Sequence, residues 1–334
     1  MTVRIGVIGT GAIGREHIER VTRTVSGARI SAVADLDTAA AEKAAARCGA
    51  RVAASGAELI GADDVDAVLV ASWGPTHAEH VLAAVAAAKP VLCEKPLATT
   101  VADCRRIMAA EQRLGRRLVQ VGFMRRYDPG YREVKRAVED GRIGRPLLMH
   151  CAHRNRSAPL AYTTEMAAQD SAVHEIDAAR WLLADEIVSA QVVLPRSTSR
   201  RHPHLADPQV MLFETAGGVR IDVEVFVNCQ YGYDVQCETV GELGLIRLPD
   251  PARPHLRAAA RAGTEIDQGW GERFSAAFDA ELRAWCDSVA AGTASGPSAW
   301  DGYAATAVAA ATVEAQRTGG VVPVAVGERP ALYA

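Results

Sequence analysis

The chain has 334 residues, with 37 Lys and Arg against 40 Asp and Glu and a formal net charge of −3. It is long enough for two domains with sizeable cores, and it has no basic excess that would point to nucleic acid or an anionic membrane surface. The seven cysteines, at 48, 93, 104, 151, 229, 237 and 286, include no C-x-x-C, which argues against a disulfide framework or a zinc site and suits a reducing compartment. No apolar run is long enough to span a bilayer and the N-terminus enters a strand by residue 3, so a soluble cytoplasmic protein without a signal peptide is expected.

Val3 to Ile8 (V-R-I-G-V-I) is a short run of mostly apolar, β-branched residues, as a buried parallel strand requires. It leads into Gly9-Thr10-Gly11-Ala12-Ile13-Gly14, a full G-x-G-x-x-G. The glycines permit a tight turn, close backbone approach to a pyrophosphate and close packing of the next helix, whose N-terminal amides face the phosphates. A second apolar strand, Ile30 to Ala34, ends in Asp35, 21 residues after Gly14, where the ribose-binding acid of a βαβ dinucleotide site is expected. Asp35 accepts hydrogen bonds from ribose hydroxyls and repels a 2′-phosphate. Its neighbours Leu36 and Asp37 bring no cation to offset that repulsion, so NAD is preferred over NADP. Nothing further on suggests a flavin-binding half.

Strand-like segments near 3–8, 29–34, 66–71, 89–93 and 117–121 alternate with Ala-rich helical ones at about 12–25, 37–48, 76–88 and 100–114. That order predicts an α/β fold opening with a doubly wound parallel sheet over 1–122. Ligands of such sheets bind beyond the strand carboxyl ends, which draws attention to Ser72-Trp73-Gly74-Pro75-Thr76-His77 and to Glu94-Lys95-Pro96. After Gly122 a helix around 129–139 precedes strand candidates near 146–154, 187–195, 209–215, 219–228, 233–240 and 244–248, with hairpin turns at Gly217-Gly218 and Gly241-Glu242. This predicts a second domain over 123–334, a large and mostly antiparallel open sheet covered on one side by helices at about 170–183, 273–292 and 300–317. Residues 155–166, 196–207 and 249–269 read as loops.

Asp170-Ser-Ala-Val-His174-Glu-Ile-Asp177 carries the second chemical signal. On an α-helix Asp170 and His174 stack on one face. A carboxylate beside an imidazole fixes its tautomer and orients it as a general base. The plainer alternative is a helix N-terminus with Asp170 as cap and His174 solvated. His202 and His204 flank Pro203 with no acidic or Cys partner at ligand spacing, and no metal site is expected.

The glycine loop, Glu94-Lys95-Pro96, Gly122-Phe-Met-Arg125-Arg126-Tyr127-Asp128, the Asp170–Asp177 run and Asn228-Cys-Gln-Tyr-Gly-Tyr233-Asp-Val-Gln-Cys-Glu238 together resemble the Gfo/Idh/MocA oxidoreductases, and within them the inositol dehydrogenases, over nearly the whole chain. The resemblance implies a Rossmann domain plus a substrate and oligomerisation domain, commonly packed as a homotetramer through the open sheets. It implies catalysis by Lys95, which hydrogen-bonds the reacting hydroxyl, by His174 as base and by Asp170 as its partner, and a cis bond at Lys95-Pro96. It places NAD against Gly9, Thr10, Gly11, Ala12, Ile13, Gly14 and Asp35, with Ser72, Trp73, His77, Glu94 and Lys95 from the strand-end loops. Substrate is expected at Lys95, Arg125, Arg126, Tyr127, His153, Asn155, Asp170, His174 and Tyr233. Trp270 reads as an interfacial or core aromatic.

The implied reaction is oxidation of one secondary hydroxyl of a cyclic polyol, first of all myo-inositol. Scyllo-inositol, another isomer or an aldose stays open, with Arg154, Arg156 and the 155–166 loop as candidates for setting that choice. A non-catalytic dinucleotide-binding regulator is the reading from a different class.

Overall fold

The structure is a computed structural model that describes residues 2–251 and 253–334. In chain order, the first half contains β1 (Val3–Ile8), α1 (Ala12–Arg23), β2 (Ala28–Ala34), α2 (Thr38–Cys48), β3 (Arg51–Val52), α3 (Gly56–Gly61), β4 (Ala67–Val70), α4 (His77–Ala86), β5 (Val91–Glu94), α5 (Val101–Leu114) and β6 (Val119–Gly122). The second half contains α6 (Pro129–Glu139), β7 (Pro146–Arg154), α7 (Val173–Leu183), β8 (Ile187–Val193), β9 (Gln209–Thr215), β10 (Arg220–Phe226), β11 (Asp234–Gly241) and β12 (Leu245–Arg247). It closes with β13 (His255–Ala258), β14 (Arg261–Thr264), α8 (Trp270–Arg273), α9 (Ser275–Ala290), α10 (Ala299–Thr318) and β15 (Val322–Pro323).

The six strands of the first half pair in parallel in the order β3-β2-β1-β4-β5-β6. Strand order reverses between β1 and β4, so the glycine loop leaves β1 at the crevice where doubly wound sheets take their ligands. β4, β5 and β6 are wholly buried, β1 nearly so and β2 from Ile30 onward, because helices cover both faces: Ile5, Val7, Val33 and Leu69 share a core with Ile18 and Val21 of α1 and Ala41, Ala44 and Ala45 of α2. The helix ends follow local chemistry. Asp37 caps α2 by accepting from Ala40 N–H at 3.1 Å, Thr100 caps α5 by accepting from Asp103 N–H at 3.0 Å, and Gly49 and Gly115 end these helices in the left-handed conformation.

The second sheet runs β12-β11-β7-β10-β9-β8-β15. Five of its six pairings among the described residues are antiparallel, β7 with β10 being the parallel one. Its strands alternate: along β10, Ile221, Val223 and Val225 are buried while Arg220, Asp222, Glu224 and Phe226 face the other way. The two predicted hairpins are present, β9–β10 around Gly217-Gly218 and β11–β12 after Gly241. No helix among the described residues is long and apolar enough to cross a membrane.

Four expectations need correction. The chain forms two compact units, but they are interleaved: residues up to Met124 group with 276–306 and 327–334, and 125–275 with 307–326. The helix expected at 273–292 to cover the second sheet instead belongs to the first unit. Leu282, Trp285 and Cys286 of α9 join the core around Ile5 and Ile30, and Arg20 Nη1 donates to Asp279 at 2.8 Å. The stretch 249–269, read as loop, holds the β13–β14 hairpin. All eight of its strand residues are exposed, so no alternation marks them, and the turn is Ala259-Ala260 at positive φ rather than the Asn-Gly or Gly-Gly that signals such turns. Finally, Ala167–Ala172 is a π-helical turn and α7 begins only at Val173; its A-A-Q-D-S-A composition is as compatible with an α-helix.

Candidate active site

Gly9 has φ +97°, and a Cβ there would lie 2.5 Å from the Ala71 carbonyl and the Ser72 nitrogen. A Cβ on Gly14 would lie 2.1 Å from Gly9 O, whereas nothing comes within 4 Å of one on Gly11. Two glycines thus close the strand-to-helix turn and the middle one leaves space beside the backbone. α1 starts at Ala12 with no side chain capping its amides and no acid in its first turn. These features fit a pyrophosphate.

Asp35 lies beside this loop. Its Oδ2 accepts from Thr10 N–H at 2.6 Å and from the Thr10 hydroxyl at 2.9 Å, and its Oδ1 from Asp37 N–H at 3.0 Å. Partial burial pushes the carboxyl pKa up, but the bonds from Thr10 and Asp37 outweigh it and hold it below the usual carboxylate value. The carboxylate is therefore a charged acceptor at neutral pH. One cation escaped the sequence reading: Arg15, on the first turn of α1, donates to the Thr10 carbonyl at 2.9 Å.

Glu94-Lys95-Pro96 follows β5 with a cis peptide between Lys95 and Pro96, as the resemblance implied. Glu94 is buried. Its Oε1 accepts from His17 Nε2 at 2.6 Å and its Oε2 from Lys95 N–H at 3.2 Å. The two ring nitrogens of His77 lie 2.7 Å from Pro96 O and 3.0 Å from Ser72 O. His77 therefore links the two strand-end loops by both of its nitrogens. Ser72 Oγ is 2.8 Å from Thr76 Oγ1, and Trp73 is largely exposed.

In the second unit, α7 packs on β7 and the 3₁₀ turn Met124–Tyr127 precedes α6. Asp170 sits half-buried on the π turn and His174 is buried on the first turn of α7. Such turns are rare and recur at functional sites. Tyr162 holds this one: its hydroxyl donates to Met166 O at 2.9 Å and lies 2.7 Å from Ser171 Oγ. Burial raises the Tyr162 pKa and the nearby Asp170 charge raises it further.

Next to His174 is a buried charge cluster that the sequence reading missed. Glu175 pairs with Arg125 and lies 3.1 Å from His153 Nδ1, while Arg125 Nη2 is 3.2 Å from the same nitrogen and Nη1 is 3.2 Å from the Tyr131 hydroxyl. The His153 ring lies 6.3 Å from that of His174 and 5.9 Å, edge to face, from that of Tyr233. Burial pushes the Glu175 carboxyl up, but Arg125 and His153 outweigh it and hold it below its ordinary value; burial also pushes Tyr233 up to about 12.

Arg126 makes a two-pronged pair with buried Asp177 at 2.9 and 2.6 Å. Tyr127 is buried under Arg132 at 5.7 Å, and the Asn155 backbone bridges Phe226 and Cys229. The structure thus gathers Arg125, His153, His174 and Tyr233 around Glu175, and engages Arg126 with Asp177 instead. The signal for Glu175 and Asp177 was their place in the same D-S-A-V-H-E-I-D run, opposite two arginines in R-R-Y-D. Arg154 is paired with Glu224 and Asp234, Arg156 donates to Gln268 at 2.9 Å, and Trp270 is half-buried on α8. His202 and His204 stack at 6.5 Å, and the described residues contain no cluster of His, Cys, Asp and Glu fit to hold a metal.

Comparison with known proteins gives the family of the chain. The family profile described as an oxidoreductase family with NAD-binding Rossmann fold matches residues 3–123, and the Gfo/Idh/MocA C-terminal domain matches 131–247. The chain belongs to the Gfo/Idh/MocA oxidoreductases. It is 66% identical over 333 residues to inositol 2-dehydrogenase 3 of Saccharopolyspora erythraea, covering 100% of this chain and 98% of that one. It is 57% identical over 335 residues to inositol 2-dehydrogenase of Burkholderia cenocepacia, covering 100% and 99%. The structure of myo-inositol dehydrogenase from Lactobacillus casei in complex with NAD(H) and myo-inositol matches with TM-score 0.97 and 41% identity over 100% of both chains. Scyllo-inositol dehydrogenase from Lactobacillus casei, 24% identical, shares the fold with TM-score 0.89 over 96% of this chain and 98% of that one. This member of the family is therefore an oxidoreductase whose first unit is an NAD-binding Rossmann fold.

Proposed function

We propose that this protein is an inositol 2-dehydrogenase that oxidises one secondary hydroxyl of myo-inositol to a ketone, with NAD preferred over NADP. The observation that carries this reading is the full-length likeness to a myo-inositol dehydrogenase whose structure holds both NAD(H) and myo-inositol. NAD, when bound, supplies the acceptor for the hydrogen and two electrons leaving the substrate carbon. The remaining work falls to side chains. Lys95 hydrogen-bonds the reacting hydroxyl and stabilises the oxygen as it loses its proton. His174 takes that proton, and Asp170 orients the imidazole and holds a neighbouring hydroxyl. The Glu175 cluster keeps Arg125 and His153 in place beside His174.

A scyllo-inositol dehydrogenase shares the fold, so the fold does not choose the isomer. The choice lies in side chains, and Arg154, Arg156 and the 155–166 loop are the candidates. We assign the open face of the second sheet to a homotetramer. Leu148, Leu212, Leu245 and Val193 are exposed there among ion pairs such as Arg154–Glu224 and Arg220–Glu214, and packing of sheet on sheet removes them from water.

The test is NAD reduction followed by absorbance across inositol isomers and aldoses, with NADP in parallel. Turnover on myo-inositol with NAD supports the reading, turnover only on aldoses moves the substrate, and silence on every polyol with NAD still bound favours a regulator.

The cofactor preference has its own test. Asp35→Ala removes a charged acceptor, and hydrogen bonds to charged groups contribute about 1.5–3 kcal/mol, so NAD affinity should fall roughly ten- to a hundred-fold. The ratio of kcat/KM for NAD over NADP should fall with it. An unchanged ratio would show that the ribose is read elsewhere.

A further inference from the structure

The first unit buries a histidine that the reaction does not call for. His17 lies on α1 three residues beyond the last glycine of the loop and is fully buried, its ring edge against Phe278 at 5.7 Å. We infer that His17 is a positioning residue for Lys95, acting through Glu94. His17 Nε2 donates to one oxygen of Glu94 at 2.6 Å, and the other oxygen accepts from Lys95 N–H at 3.2 Å. The carboxylate lies close against Gly122 of β6, in space that a side chain would occupy: a Cβ there would lie 3.0 Å from its carbon and oxygen. On the far side of the lysine, Pro96 O is 2.7 Å from His77 Nδ1. Lys95 therefore leaves the sheet from a backbone tied immediately before and immediately after it.

Stability alone does not account for the pair. β5 is otherwise an apolar strand, and a buried polar or ionic pair is often no more stabilising than well-packed apolar residues of the same volume. What the pair adds is direction, because two hydrogen bonds through one buried carboxylate hold the lysine backbone in place. The anchor is α1, the helix that begins at the glycine loop, so the seat of the cofactor phosphates and the origin of the lysine share one rigid element. An error of 1 Å at a reacting group can cost a hundred-fold in rate.

The inference rests on Lys95 acting on the substrate hydroxyl, as proposed above, and its test separates the two. Steady-state turnover at saturating NAD and inositol is compared for His17→Leu, Lys95→Ala and the double variant, with NAD affinity by calorimetry. His17→Leu should lower kcat about 10- to 100-fold while the NAD Kd moves little. His17→Gln, whose amide can donate to the same oxygen, should restore most of that loss. In the Lys95→Ala background His17→Leu should cost nothing more, because the group it aims is gone.

Equal losses in both backgrounds, or a loss confined to NAD affinity, overturn the inference. Full turnover in Lys95→Ala would overturn the role of the lysine itself, and the inference with it. If His17→Leu fails to fold, Glu94→Gln replaces it in the same cycle, since the amide keeps one acceptor and surrenders the other.

Discussion

Replacing His174 by alanine is expected to lower kcat by about 10²- to 10⁴-fold while the NAD Kd stays within about twofold. The size follows from the role proposed for it, since a positioned base contributes about that factor to proton transfer. The selectivity follows from the tasks proposed: the glycine loop and Asp35 hold NAD, whereas His174 takes the substrate proton. Pre-steady-state NADH formation and NAD titration on the same preparation separate the two effects. Wild-type turnover in this variant would mean that the proton leaves to another group. His153 would be the first to examine, with its ring 6.3 Å away.

The other large effect is structural. Glu175→Gln should destabilise the second unit by about 3–5 kcal/mol, because it strips a buried guanidinium of its counter-charge. Arg125 is 1% exposed and pairs with Glu175, which is equally buried. Burial lowers the pKa of Arg125, but Glu175 outweighs it and the value ends raised, as the carboxyl of Glu175 ends lowered. Both shifts say that the charged pair is held in the fold. A carboxyl depressed in the folded state contributes stability that is present above its unfolded pKa, near 4.3, and is lost as pH falls through the folded value. Urea unfolding across that range should show a steep acid limb in the wild type and a flatter one in Glu175→Gln. Coincident limbs would mean that other carboxyls control acid unfolding. Activity should fall with stability, since Glu175 also holds His153.

Much of the first unit was readable residue by residue because its signals are short. Gly9 is needed where φ is positive and the Ala71 backbone is 2.5 Å from any Cβ, and such a turn can be recognised from six residues. The strand–helix alternation needed only local periodicity, and the hairpins at Gly217-Gly218 and Gly241 needed only their turn residues. Local patterns failed where an element was small or exposed: β3, α3 and the β13–β14 hairpin bury too little to leave a periodic trace. They failed again at Asp170, where an α-helix was expected and a π turn formed, its ends bonded to the Tyr162 hydroxyl through Met166 O and Ser171 Oγ.

The candidate site divides in the same way. Asp170, His174, Lys95 and the glycine loop stood out because each lies in a run of a few residues whose chemistry is legible without knowing the fold. Glu175 did not, because its meaning depends on Arg125, 50 residues away, and His17 did not, because its partner Glu94 is 77 residues away. By itself, then, the sequence determined the class of most elements and the dinucleotide loop, which rest on backbone sterics and short-range periodicity, and its motifs carried the resemblance to the family. Only the tertiary structure decided which buried charges pair, that α9 returns to the first core, and that β7 pairs in parallel with β10. Those outcomes minimise the cost of burying charge and apolar surface over the whole chain, and no local window contains that sum.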